Sequence, residues 1–185
     1  WRSVRAPTLS TVFFDLESPD RFGLTADIAV HLQGSTYPSA FPDHHLRLFF
    51  NSELVADLEF DGQLPFLQEG SVPMAELKEK DNRFSLDAVG DTEAGNLDEV
   101  FLNWIEVTYD RLYKASDGML AFTAPSPDAK GLYQFALSGF DHEDIRIFKL
   151  GVGEILNARI RAAPGGGYGA TFQDELVTGD LRYLA

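Results

Sequence analysis

The sequence predicts an all-β protein, a jelly-roll-like β-sandwich of two antiparallel sheets. Apolar and polar residues alternate in short runs along the whole chain, which is the period that places successive side chains on opposite faces of a strand. Glycine and proline separate these runs at spacings typical of sandwiches. About ten short strands with long connections favour a jelly roll over an up-and-down barrel.

The first half of the chain contains the clearest alternation. Residues 12–17 form the first candidate strand, and residues 24–33 place leucine, isoleucine and valine on one face. Residues 46–50 and 54–60 flank a short polar turn and predict a β-hairpin. Residues 72–80 have the only helical spacing, which predicts a short crossover element.

Residues 100–109 decide the fold class. This run is apolar on both faces, so it belongs in the middle of a layered β domain, and Trp104 is predicted to pack in the core. Further candidate strands are residues 83–88, 119–123, 132–138, 144–150, 155–162 and 168–173.

The length of 185 residues suits one domain over 1–185, which we expect to be a fragment of a larger protein. Residues 164–185 are predicted to form a glycine-rich loop, a terminal strand and a junction to a following domain. The loop is interpreted as a hairpin connection, because the residues after it are too few for a domain.

Composition excludes several classes of function. The chain has no cysteine, so disulfides, thiolate metal sites and a cysteine nucleophile are excluded. Its formal net charge of -14 disfavours nucleic acid and anionic lipid as partners. No apolar run approaches the roughly 18 residues of a membrane span, so no membrane insertion is expected.

An acidic, turn-rich segment is the candidate metal site. Asp87, Asp91 and Asp98 lie in it together with Glu93 and Asn96, and calcium prefers six to eight oxygen ligands of this kind. The spacing is not that of an EF-hand. A solvated acidic loop is the alternative interpretation.

The sequence predicts no catalytic site. His31, His44, His45 and His142 lie in no nucleophile motif, and structural or solvent-exposed roles are expected for all four. Pairs of carboxylates suited to glycoside cleavage arise by chance among so many acidic residues. We therefore expect this chain not to be an enzyme.

Aromatic side chains offer a possible glycan platform. Sandwich domains bind sugars on aromatic rings laid on a sheet face or loop rim. Tyr37 and Phe41 lie in a proline-rich loop, and Tyr113 follows the longest apolar strand. These three residues are the candidate ligand-binding set.

Several motifs give the chain a family resemblance. The motifs are FLNWIEVTYDR at 101–111, AVHLQG at 29–34, HHLRLFFN at 44–51, NRFSLDAVGD at 82–91, GLYQFALSGF at 131–140, DIRIFKL at 144–150 and RYLA at 182–185. In these motifs the chain resembles the β-sandwich domain that precedes the catalytic domain of gingipain-like cysteine peptidases.

The resemblance implies a non-catalytic accessory module of a bacterial secreted or cell-surface protein. Its partner would be the adjacent peptidase domain of the same parent chain, which carries the catalytic cysteine and histidine. A loop at 35–43 or 125–130 could then occlude the neighbouring active site. The alternative function is a carbohydrate-binding module that uses loop or face aromatics.

Overall fold

The computed structural model describes residues 1–37, 41–126, 128–177 and 181–185, and it confirms the all-β class. The chain divides into two compact units, unit 1 (Trp1–Arg111) and unit 2 (Leu112–Ala185). Each unit has its own apolar core. This differs from the one domain expected over 1–185, because alternation shows which residues face a core but not how many cores they form.

Unit 1 contains eight strands within its described residues. They are β1 (Arg2–Arg5), β2 (Thr8–Phe14), β3 (Thr25–Gly34), β4 (His44–Phe50), β5 (Glu53–Phe60), β6 (Pro65–Pro73), β7 (Asn82–Ala88) and β8 (Glu99–Thr108). Two short 3₁₀ turns span Met74–Glu76 and Gly95–Leu97. None of the helical turns in the described part of the chain is long and apolar enough to cross a membrane.

The eight strands form two four-stranded antiparallel sheets. Sheet A has the order β1-β8-β3-β6, and sheet B has the order β2-β7-β4-β5. β1 pairs with β8, β2 with β7, β3 with β6 and β4 with β5, so the first four strands fold back on the last four in reverse order. This is the pairing of a jelly roll, as predicted for the sandwich.

The core of unit 1 lies between the two sheets. Inward-facing side chains of both sheets belong to one buried cluster, and most of them are at most 1% exposed. They include Ile28, Val30 and Leu32 of sheet A and Leu46, Leu48, Phe50, Phe84 and Leu86 of sheet B. Burying one such side chain is worth roughly 1.5–3 kcal/mol, so the predicted alternation of β3 and β4 contributes to the stability of unit 1.

The sequence analysis did not predict two strands of unit 1. β1 has only four residues, two of them arginine. β6 pairs with residues 25–33 of β3. It was not predicted because proline at both ends and Gly70 in its middle are unusual inside a strand. Gly70 lies where β5 and β6 approach closely, because a Cβ there would lie 2.8 Å from Cγ1 of Val55.

Unit 2 contains seven strands within its described residues. They are β9 (Ala121–Thr123), β10 (Gly131–Phe140), β11 (Phe148–Lys149), β12 (Gly153–Glu154), β13 (Arg159–Ala162), β14 (Tyr168–Leu176) and β15 (Arg182–Leu184). Two antiparallel sheets result, β10-β14-β13 and β12-β11-β15-β9. The predicted strand over 144–150 is reduced to β11, and that over 155–162 is represented only by β13.

The core of unit 2 is aromatic. The rings of Phe135 and Phe172 stack with centroids 4.9 Å apart, and those of Phe122 and Tyr183 stack at 5.0 Å. Burial raises the pKa of Tyr183, whose hydroxyl donates to Asp174 at 2.5 Å.

The closing segment is part of this core. β15 lies between β9 and β11, and Tyr183 is 1% exposed. The predicted terminal strand is present, because RYLA supplies a central strand of unit 2, and its role as a junction to a following domain stays a prediction. Residues 164–167 connect the paired strands β13 and β14, which confirms the hairpin interpretation of the glycine-rich loop.

Candidate functional site

The three candidate glycan-binding residues differ in exposure. Tyr37 and Phe41 are 77% and 82% exposed, on either side of residues 38–40, which lie outside the described residues. Tyr113 instead packs against Phe122 and Phe135, and its hydroxyl donates to the carbonyl of Thr123. Tyr113 is therefore half-buried and packs against the core of unit 2. The expected occluding loops, 35–43 and 125–130, also include undescribed residues, namely 38–40 and 127.

The candidate calcium ligands do not form a metal centre. Asp98 is fully buried and bonded to His44, while Asp91 bonds to His45. Asp87 lies within β7, opposite Arg47. Within the described residues, no group of three or more histidine or carboxylate side chains could hold a metal ion. This donor set does not fit calcium, which needs six to eight converging oxygens.

Asp98 is the centre of a buried polar cluster at one end of unit 1. Its Oδ1 accepts a hydrogen bond from Nδ1 of His44 at 2.7 Å, and its Oδ2 accepts one from the backbone N–H of His45 at 3.2 Å. Both Asp98 and His44 are 0% exposed. A buried carboxylate needs such partners, so Asp98 ties the start of β8 in sheet A to β4 in sheet B.

The space beside His44 admits only a glycine at position 34, the last residue of β3. A Cβ on Gly34 would lie 2.7 Å from Nε2 of His44 and 2.0 Å from the carbonyl oxygen of Gly62. Asp43 also belongs to the cluster, because its Oδ1 accepts a hydrogen bond from the backbone N–H of Gly62 at 2.9 Å. These contacts leave the imidazole enclosed, and they indicate a structural role for His44.

His45 lies between two carboxylates at the surface of sheet B. Its Nδ1 lies 2.5 Å from Asp91, and its Nε2 lies 2.7 Å from Asp57, which also pairs with Arg47. Burial lowers the pKa of His45, but the hydrogen bonds to Asp91 and Asp57 outweigh burial and raise it above the usual 6.5. The same hydrogen bonds from His45 lower the pKa of each carboxyl.

An aromatic row lies on the outer face of sheet A. The rings of His31 and Trp104 stack with centroids 5.7 Å apart, and Trp1 lies 6.1 Å from His31. Trp104 is 40% exposed and Trp1 is 70% exposed. The expectation that Trp104 packs in the core is therefore wrong, because the shift in register beside His31 turns both Asn103 and Trp104 outward.

A groove of about 660 Å³, here called the side groove, opens along one side of unit 1. Val12, Phe14 and Leu16 line it from the sheet B side, and Ile105 and Val107 of β8 line it from sheet A. These five side chains are half-buried and pack against the core. Arg2 also lines the groove, and its guanidinium donates to the carbonyl of Thr11 on β2. The side groove is an apolar opening into the sandwich.

The side groove runs along an unpaired part of β8. β1 pairs with β8 only at residues 99–102. Beyond that point β8 continues to Thr108 and pairs with β3 on its other side, and no described strand continues the pairing of β1.

Sequence reasoning missed both the histidine cluster and the side groove. Asp91 and Asp98 lie 46 and 54 residues from their histidine partners, and no local pattern links such distant positions. The run Asp43-His44-His45 was a weak signal for a polar cluster. The groove brings together side chains near β2 and on β8, which lie some 90 residues apart in the sequence, and alternation cannot reveal such a contact.

Comparison with known proteins gives a fold relationship. No protein-family model matches the chain, and no curated protein matches it. Among solved structures, it is similar to the crystal structure of dimeric latent PorU from Porphyromonas gingivalis, with a TM-score of 0.66 and 15% sequence identity. The match covers 100% of this chain and 18% of that chain. At this identity the likeness shows the fold alone.

The paired state of His45 predicts a pH-dependent stability. Charged His45 stabilises the fold below its unfolded pKa near 6.5, and this contribution is lost as the pH rises through the raised folded pKa. Wild-type unit 1 should therefore lose stability between about pH 6 and about pH 9, and His45→Gln should lose less stability over the same range. Urea unfolding followed by tryptophan fluorescence measures this in unit 1, which contains both tryptophans.

The exposed His142 of unit 2 provides the matched control. His142→Gln should retain the wild-type pH dependence of the fluorescence transition. Equal slopes for the wild type and His45→Gln would show that the Asp91–His45–Asp57 contacts do not stabilise unit 1.

Proposed function

We propose that this chain is a non-catalytic accessory module of a larger gingipain-like protein, and that it packs on or regulates a neighbouring peptidase domain. The observation that carries the proposal is the fold likeness to part of PorU, which covers the whole chain. In PorU this fold therefore occurs within a much longer protein, and the match covers 18% of that chain. The sequence resemblance to the β-sandwich before gingipain-like peptidases supports the same role.

The proposed mechanism is an interface, because the chemistry for peptide cleavage is expected to reside in the partner. The chain has no cysteine to act as a nucleophile. The fully buried His44 has Asp98 as its partner and is enclosed by Gly34 and Gly62. The same resemblance favours a secreted or cell-surface location in a bacterium.

Unit 2 presents an apolar segment suited to such an interface. Leu150, Val152 and Leu156 lie around the short strand β12 and are 51%, 75% and 87% exposed. Exposed apolar side chains can form a contact surface where they are contiguous. We propose this segment as the contact with the peptidase domain.

The double substitution Val152→Asp/Leu156→Asp in the parent protein tests this assignment. It should lower the melting temperature of the peptidase domain or change its rate of peptide hydrolysis, because charged side chains oppose a desolvated contact. Leu132→Asp is the control, since Leu132 is 70% exposed on the other sheet of unit 2. A parent reading frame without a peptidase domain, or unchanged stability and rate in the double variant, would contradict the proposal.

Glycan binding is the second candidate function, and the aromatic row of Trp1, His31 and Trp104 favours it. Stacked, exposed rings on a sheet face can contact the apolar face of a sugar. Trp104→Ala should then weaken binding to any glycan found on an array by about tenfold or more. If Tyr37→Ala and Phe41→Ala weaken binding instead, the loop is the platform. An array without a ligand would remove this function.

A further inference from the structure

We propose that the outer face of sheet A docks a basic segment of a partner protein and holds one of its arginine side chains. We call this surface the acidic face. It consists of the carboxylates around Ala29 and the stacked rings beside them, namely Asp27, Glu69, Glu106, His31 and Trp104. The proposal goes beyond the accessory role and does not depend on it, because the proposed peptidase contact lies on unit 2.

The pairing of β3 with β6 and β8 places a glutamate on each side of Ala29. Glu69 of β6 lies opposite Ala29 on one side, and Glu106 of β8 lies opposite it on the other. Both glutamates are exposed, and their strands lie about 10 Å apart with β3 between them. Because the side chain of Ala29 is only a methyl group, a planar cation has room between the two carboxylates.

Two further rows of side chains border this position on the same face. Successive outward residues of a strand are about 7 Å apart. In one direction along β3, Asp27 supplies a third exposed carboxylate. In the other direction, His31 lies opposite Trp104, and their rings stack with centroids 5.7 Å apart. A cation above Ala29 is therefore close to three carboxylates and to an aromatic stack.

The sheet supplies no cation of its own to these carboxylates. β3, β6 and β8 contain no lysine or arginine, and within the described ranges of the chain no ion pair involves Asp27, Glu69 or Glu106. On sheet B, by contrast, Arg47 pairs with Asp57. Like charges gathered on one sheet face are destabilising, and a bound cation relieves that repulsion.

Arginine suits the acidic face better than lysine does. Its planar guanidinium can bond a carboxylate through two parallel N–H groups and can stack on an aromatic ring. Trp104 is 40% exposed, so its ring is accessible for that contact. A second copy of this chain is an unsuitable occupant, because a net charge of -14 makes the copies repel each other.

A direct titration of the full chain tests the proposal. The probe is an acetylated and amidated peptide of about seven residues, with arginine at alternate positions and threonine between them. Because Trp104 borders the acidic face, tryptophan fluorescence reports binding. Saturable binding is expected at about 0.1 M salt, and it should weaken as added salt screens the charges. No binding by the wild type would contradict the proposal.

The same peptide with citrulline in place of arginine is the matched control. Citrulline keeps the length and the planar end group of the side chain but carries no charge. The citrulline peptide should bind about tenfold more weakly or not at all. Equal binding of the two peptides would show that charge does not select the ligand, and it would overturn the proposal.

Protein variants locate the contact on unit 1. Glu69→Gln/Glu106→Gln removes two charges from the acidic face and should weaken binding of the arginine peptide about tenfold. Glu53→Gln/Glu93→Gln removes the same charge from exposed positions elsewhere in unit 1 and should retain the binding. All four side chains are exposed, so both variants should fold like the wild type. Equal losses in the two variants would show that only the net charge attracts the peptide, which would contradict the proposal.

A cationic sugar is the other ligand that this chemistry admits. Binding of a glucosamine oligomer, together with no binding of the arginine peptide, would assign the acidic face to a sugar and overturn the proposal. A neutral glycan held on Trp104 should be retained by Glu69→Gln/Glu106→Gln. That difference separates this proposal from the glycan function, which does not require the carboxylates.

Discussion

The contact between Asp98 and β4 is the interaction on which the architecture of unit 1 depends. β8 must return between β1 and β3 after the chain has completed sheet B. Asp98 stands immediately before β8, and its buried carboxylate accepts hydrogen bonds from His44 and from the backbone of His45. Removing a partner from a buried charge is strongly destabilising, so this contact fixes where β8 enters sheet A.

Much of the fold could be predicted from the sequence because burial in a two-sheet sandwich imposes a strict period of two. β3, β4 and β5 follow that period closely, and Asn51 adopts the positive φ of 53° that their connecting turn requires. β6 could not be predicted in the same way, because its proline and glycine residues are typical of turns. Nor could the division into two cores, since both contain similar aromatic and aliphatic residues.

The exposure of individual aromatic residues was less predictable. Trp104 was expected in the core but is exposed, and Tyr113, a candidate for the glycan platform, is half-buried against the core of unit 2. The reason is non-local. A register shift next to His31 exposes Trp104, while Tyr113 packs against rings that are supplied by β9 and β10. Single-residue exposure depends on such pairings, whereas the fold class depends only on the repeated pattern.

The free energy of unfolding of Asp98→Ala tests the central claim most directly, namely that the buried contact between Asp98 and β4 stabilises unit 1. The substitution leaves His44 and the backbone N–H of His45 without their acceptor, so unit 1 should lose about 3 kcal/mol or more. Urea unfolding followed by tryptophan fluorescence measures this loss, because unit 1 contains both tryptophans. Asp61→Ala, at an exposed carboxyl of unit 1, is the control and should change the free energy of unfolding by less than about 0.5 kcal/mol. A loss for Asp98→Ala no larger than that for Asp61→Ala would contradict this account of unit 1.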